Sequence, residues 1–301
     1  MARAKPKQEK IAREDRVKRT GIFFTYFQGE RLRDFPQALA GILDKENVSY
    51  YDAVYESRSG LYYLEALSEE LLLKVHSRDM VRQVKMTGDF ESALYSAGGT
   101  VQAAEKIYEG ELDNAFIFTS FGDHHAGRTF YGGMCYFNGA ALAIVALKEK
   151  GIRRMAIVDT DCHHADGTRD IFNNDRNVLH ICFCHQDHAD TQNNVDIRIP
   201  YRNSDEEYLN RLRQEFMPRV LAFEPEYLFW EFGYDATRGE YGDKGLTRDC
   251  HPELARLIKE AADKVCQGRL ITILCGGSGR AMATYTIPRI IDCLAELGIH
   301  N

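Results

Sequence analysis

Residues 159 to 166 read Asp-Thr-Asp-Cys-His-His-Ala-Asp and directly follow the apolar run Met155 to Val158, so carboxylates and imidazoles gather where a buried strand ends. Side chains alternate along an extended chain, which predicts Asp159, Asp161 and His163 on one side and Thr160 and Cys162 on the other. One Asp and one His in step can hold a divalent ion through oxygen and nitrogen.

The elements that must position these residues follow from periodicity. Short apolar runs predict strands at Ile22 to Tyr26, Ala115 to Thr119, Met155 to Asp159, Val178 to Phe183, Tyr227 to Phe232 and Leu270 to Leu274. Helical spacing fills the intervals at Glu91 to Tyr108, Phe137 to Lys150, Asp205 to Phe223, Pro252 to Cys266 and Met282 to Leu297. Strands alternating with helices give a parallel α/β sheet covered on both faces, because each parallel neighbour needs a crossover. Ligands in such sheets bind beyond the carboxyl ends of the strands. Four predicted strand ends carry chemistry: Gly122-Asp123-His124-His125-Ala126-Gly127, the Asp/His cluster, Gly233-Tyr234-Asp235-Ala236 and Gly276-Gly277-Ser278-Gly279. The strand starts carry none, so one site built from several loops is the economical reading.

Composition sets the outer limits. The 301 residues, 44% of them hydrophobic, can bury a large core. Met1 to Arg19 is rich in Lys and Arg and reads as a basic tail or helical arm, leaving residues 20–301 as one catalytic domain. A formal net charge of -7 supplies no field for nucleic acid or an anionic membrane. Neither a spanning run nor a secretory signal is present, so the cytoplasm is the expected compartment. Eight scattered cysteines without a CxxC pair read as reduced thiols. Homo-oligomerisation, for which the basic arm offers a contact, is not legible.

At these residues a resemblance emerges. Asp123-His124-His125-Ala126, Gly133-Met134-Cys135-Tyr136-Phe137-Asn138, Val158 through Thr168 and Gly233-Tyr234-Asp235-Ala236 occur in the order and spacing of the histone deacetylase and acetylpolyamine amidohydrolase family. The similarity covers about residues 88 to 297, with a weaker echo at Val75-His76-Ser77. It implies the three-layer α/β/α arginase/deacetylase fold with a mostly parallel sheet of about eight strands. It also implies zinc held by Asp161, His163 and Asp235, with Fe2+ or Co2+ acceptable to the same ligand types, and a structural K+ near Asp159. His124 and His125 become the paired active-site imidazoles, backed by Asp159 and Asp166 respectively. The implied reaction is hydrolysis of an N-acyl amide, whether acyl-lysine, acylated polyamine or a related small molecule. Metal-activated water would attack, with His125 as general base and His124 tuning charge or returning the proton to the amine.

The chain departs from that family in its substrate pocket. Most active relatives carry a tyrosine after the paired glycines of the last strand, where its hydroxyl donates to the oxyanion; here Ser278 follows Gly276-Gly277 and is too short. Losing one such donor costs about 2.7 to 4 kcal/mol in other hydrolases. Tyr131, Tyr241, Tyr285 or a water on Ser278 are the candidate substitutes. Met134 follows Gly133 where relatives place an aromatic, and Glu240-Tyr241 stands where an Asp-Pro pair is common. Substrate preference is therefore expected to be altered, with Gly133, Met134, Tyr241 and Ser278 lining the pocket and the acids Glu240, Asp243, Asp187 and Asp190 as candidate receptors of a cation.

Two other classes remain open. A catalytically weak metal or acyl-ligand-binding homologue is motivated by Ser278. A two-manganese ureohydrolase needs a carboxylate two residues after Asp235, where Thr237 stands. His164 reads as packing beneath the loop, and His76 as readily on a helix surface as anywhere. Cys135 and Cys162 read as small apolar fillers.

Overall fold

Strands buried on both faces must be apolar nearly throughout, and the predicted runs meet that requirement. The structure, a computed structural model, describes residues 17–24, 29–52, 65–186, the backbone of 188–189, and 193–300. Most of the basic arm, Tyr26, Asp187 and Asp190 lie outside the described residues. The last residues of the arm are held by the globular part: the Arg19 N–H donates to Asp113 at 2.9 Å, and Lys18 pairs with Asp263 at 3.3 Å.

The described residues form nine strands in one sheet: β1 (Thr20–Phe24), β2 (Val48–Asp52), β3 (Asn114–Phe118), β4 (Met155–Asp159), β5 (Val178–Cys184), β6 (His188–Ala189), β7 (Asn194–Arg198), β8 (Tyr227–Phe232) and β9 (Leu270–Leu274). Their order is β2-β1-β3-β9-β8-β4-β5-β7-β6, parallel throughout except for the two-residue β6 at one edge. The expected parallel sheet of about eight strands is thus present, with a short antiparallel addition. β2, β6 and β7 have no counterpart among the sequence-derived strands, because short edge segments are neither long nor apolar enough to stand out.

The helices are α1 (Glu69–Val75), α2 (Arg78–Lys85), α3 (Phe90–Tyr108), α4 (Gly139–Glu149), α5 (Asp166–Phe172), α6 (Asp205–Phe223), α7 (Cys250–Cys266) and α8 (Arg280–Ala295). Alternation along the strands sorts them into two layers. Met155 and Ile157 of β4 pack with α1 to α5, whereas Ala156 and Val158 pack with α6, α7 and α8. None of these helices is long and apolar enough to cross a membrane. α6 starts on a capping box, Ser204 with Glu207, which ends the preceding loop sharply.

One expectation fails locally, and one left open resolves. β4 ends at Asp159, so strand alternation does not extend to residue 162: Cys162 turns into the cluster, its thiol 2.9 Å from Asp235 Oδ2. His76 is buried rather than on a helix surface. It caps α1, pairs through Nδ1 with Gly127 O at 2.7 Å, and accepts the Asn138 N–H on Nε2 at 3.1 Å. That imidazole braces the loop after β3 against the start of α4.

Candidate active site

The four chemistry-bearing loops leave β3, β9, β8 and β4, which are adjacent in the sheet. Their carboxyl ends surround a cavity of about 610 Å³ lined by His124, His125, Asp161, His163, Gly276 and Gly277 among others. Gly133, Met134, Tyr241 and Ser278 line it too.

Its floor is a knot of buried charge. His163 Nδ1 lies 2.9 Å from Asp161 Oδ1 and 3.0 Å from Asp235 Oδ2. Both carboxylates are almost fully buried. Burial opposes ionisation of Asp161, but the imidazoles of His124 and His163 outweigh it and hold that carboxyl below the usual range. Asp235 moves the other way, raised by burial and by the Asp161 charge. The hydrogen bonds from His163 to Asp161, then to Asp235 and Cys162, push its imidazole up to about 12. Two buried carboxylates 3 Å from one ring nitrogen need positive charge between them, and a proton on His163 supplies it only in part. Gly233 and Gly276 keep the space narrow: a Cβ on either would lie 2.4 and 2.3 Å from Asp161 Oδ2. With Cys162 the three residues form a group whose donor atoms all lie within 4.8 Å of one another. One imidazole and two carboxylates fit a divalent ion of zinc type, with a coordination position left for substrate.

Beside this knot stand two histidine–aspartate pairs. His124 Nδ1 meets Asp159 Oδ2 at 2.6 Å, and His125 Nδ1 meets Asp166 Oδ1 at 2.6 Å. A carboxylate accepts, so Nδ1 carries the proton in each neutral ring and Nε2 keeps its lone pair. The rings are 4.2 Å apart. They differ in access: His124 is buried, with Nε2 3.8 Å from Asp161 Oδ1, whereas His125 is 20% exposed and faces the cavity. Gly133, at φ 53°, closes on the His125 edge, where a Cβ would come within 2.5 Å of Cδ2.

Support reaches deeper than the motifs indicated. Asp123 accepts the Gly139 and Ala140 N–H groups, tying the His124-His125 loop to the start of α4. Asn138 caps that helix, donates to Thr168 at 2.9 Å, and Thr168 donates to Glu231 at 3.0 Å. Glu231 is the sheet neighbour of Asp159. Burial and the neighbouring Asp159 charge raise the Glu231 carboxyl well above its ordinary range, while burial and Asp161 do the same to Asp159. Sequence reasoning passed over Glu231, although a carboxylate inside the apolar run Tyr-Leu-Phe-Trp-Glu-Phe was a signal. Arg31 was also missed, since no motif surrounds it: its guanidinium donates to Cys275 O at 2.7 Å, Gly277 O at 3.1 Å and Thr119 O at 3.2 Å, joining the ends of β3 and β9.

Other expectations resolve as follows. His164 packs under the loop with Cys182, Cys184 and Asp196, where Arg169 donates to Asp196 at 2.5 Å and supplies the counter-charge. Thr237 is buried and its hydroxyl pairs with His251 Nε2 at 2.7 Å, so no carboxylate stands where a second metal of ureohydrolase type would need one. Ser278 donates its hydroxyl to Glu240 Oε2 at 2.8 Å. Tyr285 donates to Asp249 and lies between Arg248 and Arg289. Tyr131 packs edge-on against Tyr136, ring centroids 5.4 Å apart. Tyr241 stacks on His163 at 5.6 Å, and its hydroxyl accepts the Gly277 N–H at 2.9 Å.

Comparison with known proteins speaks to the family and the fold. The histone deacetylase domain model matches residues 86–291. A probable deacetylase from Archaeoglobus fulgidus is 30% identical over 92% of this chain and 86% of its own length. A histone deacetylase-like amidohydrolase from Pseudomonas aeruginosa is 25% identical over 76% of this chain and 68% of that protein. Among solved structures, the crystal structure of the HDA15 HD domain superposes with a TM-score of 0.76 at 21% identity, covering 94% of this chain and 90% of that one, which speaks to the fold.

Proposed function

The chain belongs to the histone deacetylase family, and from that premise we propose that it hydrolyses an N-acyl amide, such as acyl-lysine, an acylated polyamine or a related small amide, using zinc held by Asp161, His163 and Asp235. The observation that carries this reading is the pair of buried carboxylates converging on one imidazole nitrogen beside two carboxylate-backed histidines. Ligand type admits Fe2+ or Co2+ equally. A structural potassium near Asp159 belongs to the same proposal, since each oxygen of that carboxylate accepts one hydrogen bond and keeps a lone pair, and no step is derived through it.

A divalent ion at this position supplies Lewis acidity, lowering the pKa of water and polarising the acyl carbonyl. The rest is done by the chain. His125 Nε2 faces the cavity with Nδ1 fixed by Asp166, so it can take a proton from attacking water and return it to the departing amine. His124, buried and held by Asp159, places a second imidazole with Nε2 3.8 Å from Asp161 Oδ1, beside the position of the acyl carbonyl. Gly133 and Met134 shape the entrance, where flexible methionine replaces the flat wall of an aromatic. All eight cysteines are free and seven are buried, which suits a reducing compartment such as the cytoplasm.

The test is a broad acyl-amide panel run on metal-loaded protein and on His125→Ala. Turnover of at least one amide, reduced roughly 100- to 10,000-fold in the variant, supports the reading. Tight hydroxamate binding without turnover of any amide would instead favour an acyl-ligand-binding protein.

A further inference from the structure

Hydrolysis of an amide converts the carbonyl oxygen into an oxyanion, and a preorganised donor aimed at that oxygen is among the largest single contributions to rate. Ser278 is not free to serve. Its hydroxyl and its N–H both go to Glu240 Oε2, at 2.8 and 2.9 Å, and the Gly279 N–H goes to Glu240 Oε1 at 2.9 Å. The residue after Glu240 takes the preceding amide: Tyr241 accepts the Gly277 N–H at 2.9 Å. Two consecutive side chains of the loop after β8 thus grip three consecutive N–H groups after β9.

That grip leaves Tyr241 with a specific capability. A phenol that accepts one hydrogen bond still has its own hydrogen to donate, and among the described residues no protein acceptor takes it. The ring stacks on His163 at an interplanar angle of 28°, and the residue lines the same cavity as His124, His125 and Asp161. The competing tyrosines are committed elsewhere, Tyr285 to Asp249 and Tyr131 to packing against Tyr136, and neither lines the cavity.

We propose that Tyr241 is the oxyanion donor of this enzyme, its hydroxyl positioned by the Gly277 N–H and by stacking on His163. It reaches the substrate from the loop after β8, whereas the family's usual tyrosine reaches it from the loop after β9. The hydroxyl donates a hydrogen bond and keeps its proton. This inference rests on the amidohydrolase reading above. It also gives Glu240 a positioning role: by holding Ser278 and Gly279 it fixes the backbone that in turn fixes Tyr241.

The decisive variant is Tyr241→Phe, which keeps the ring and removes only the hydroxyl. For the best amide of the panel, kcat should fall roughly 100- to 1000-fold with KM and zinc content little changed. Affinity for a trifluoromethyl ketone analogue, which hydrates to a tetrahedral form, should fall by a similar factor in calorimetry. Adding Ser278→Tyr to Tyr241→Phe should recover part of the rate by restoring a hydroxyl from the other loop, and Tyr285→Phe should behave as wild type. Unchanged kcat in Tyr241→Phe, or a loss matched by loss of zinc, would overturn the assignment and leave the amidohydrolase reading standing. A wild type that turns over no acyl amide would sink that parent reading, and this one with it.

Discussion

The floor of the pocket and its rim are built on opposite physical terms. On the floor, Asp161, Asp235 and His124 are each no more than 2% exposed, follow β4, β8 and β3 in the middle of the sheet, and have partners within hydrogen-bond reach. On the rim, Met134 is 64% and Tyr241 60% exposed, and both belong to loops. A buried charge that loses its partner costs several kcal/mol, so the floor tolerates almost no change. A rim side chain such as Met134 can be exchanged for little more than a change of pocket shape. In the reading proposed above, the chain keeps the floor that the resemblance implies and departs at the rim, and the Tyr241 hydroxyl is the point where the rim reaches back into the chemistry.

The most drastic way to break that contrast is Asp235→Asn. It should abolish metal retention and activity together, read by elemental analysis and by the amide panel, because one ligand and half of the buried negative charge vanish at once. Retention of metal at wild-type occupancy would show that the floor is not the charge-matched unit described.

A subtler test acts beneath the floor through His76. Burial lowers its imidazole from 6.5 to about 4. The unfolded chain therefore binds more protons between those values, so stability rises with pH across that window, is fully present above about 6.5 and is lost as pH falls toward 4. The contribution is up to about 3 kcal/mol. His180 and His251, lowered by burial to about 3 and about 4, act in the same direction. Urea unfolding at pH 7 and pH 4.5 should show a smaller acid loss for His76→Asn than for wild type. Equal losses would remove His76 from the account.

The smallest expected effect lies on the rim. Met134→Phe should redistribute kcat/KM among acyl amides by on the order of 10-fold, with metal content and stability unchanged. Met134 sits at φ 63°, so the substitution replaces one non-glycine side chain by another at the same backbone angle. A collapse of activity on all substrates would erase the distinction between floor and rim.

The same contrast governs what could be read from the chain. Central strands were legible because double-faced burial writes long apolar runs, as at Tyr227–Phe232 and Leu270–Leu274. Edge strands such as Val48–Asp52 were not, since only part of each is buried. The floor residues stood out as order and spacing of acids and imidazoles at strand ends. Their convergence, however, depends on β3, β9, β8 and β4 being neighbours, a fact of topology that no local pattern carries. The role of His76 stayed open, and Glu231 and Arg31 were passed over, because these roles arise from partners 51 or more residues away in sequence, among them Gly127, Asn138, Thr168, Cys275 and Thr119. Cys162 was misplaced because alternation was extended past the end of β4. On the rim, the sequence offered Tyr131, Tyr241 and Tyr285 as substitutes for a missing hydroxyl; only the hydrogen bonds of the folded loops separate them.

Metal stoichiometry of the purified wild-type chain tests the central claim most directly. Loaded with zinc and freed of excess by gel filtration, the protein should carry one ion per chain by elemental analysis. A protein that emerges empty, or that takes up two ions per chain, would contradict the single site formed by Asp161, His163 and Asp235.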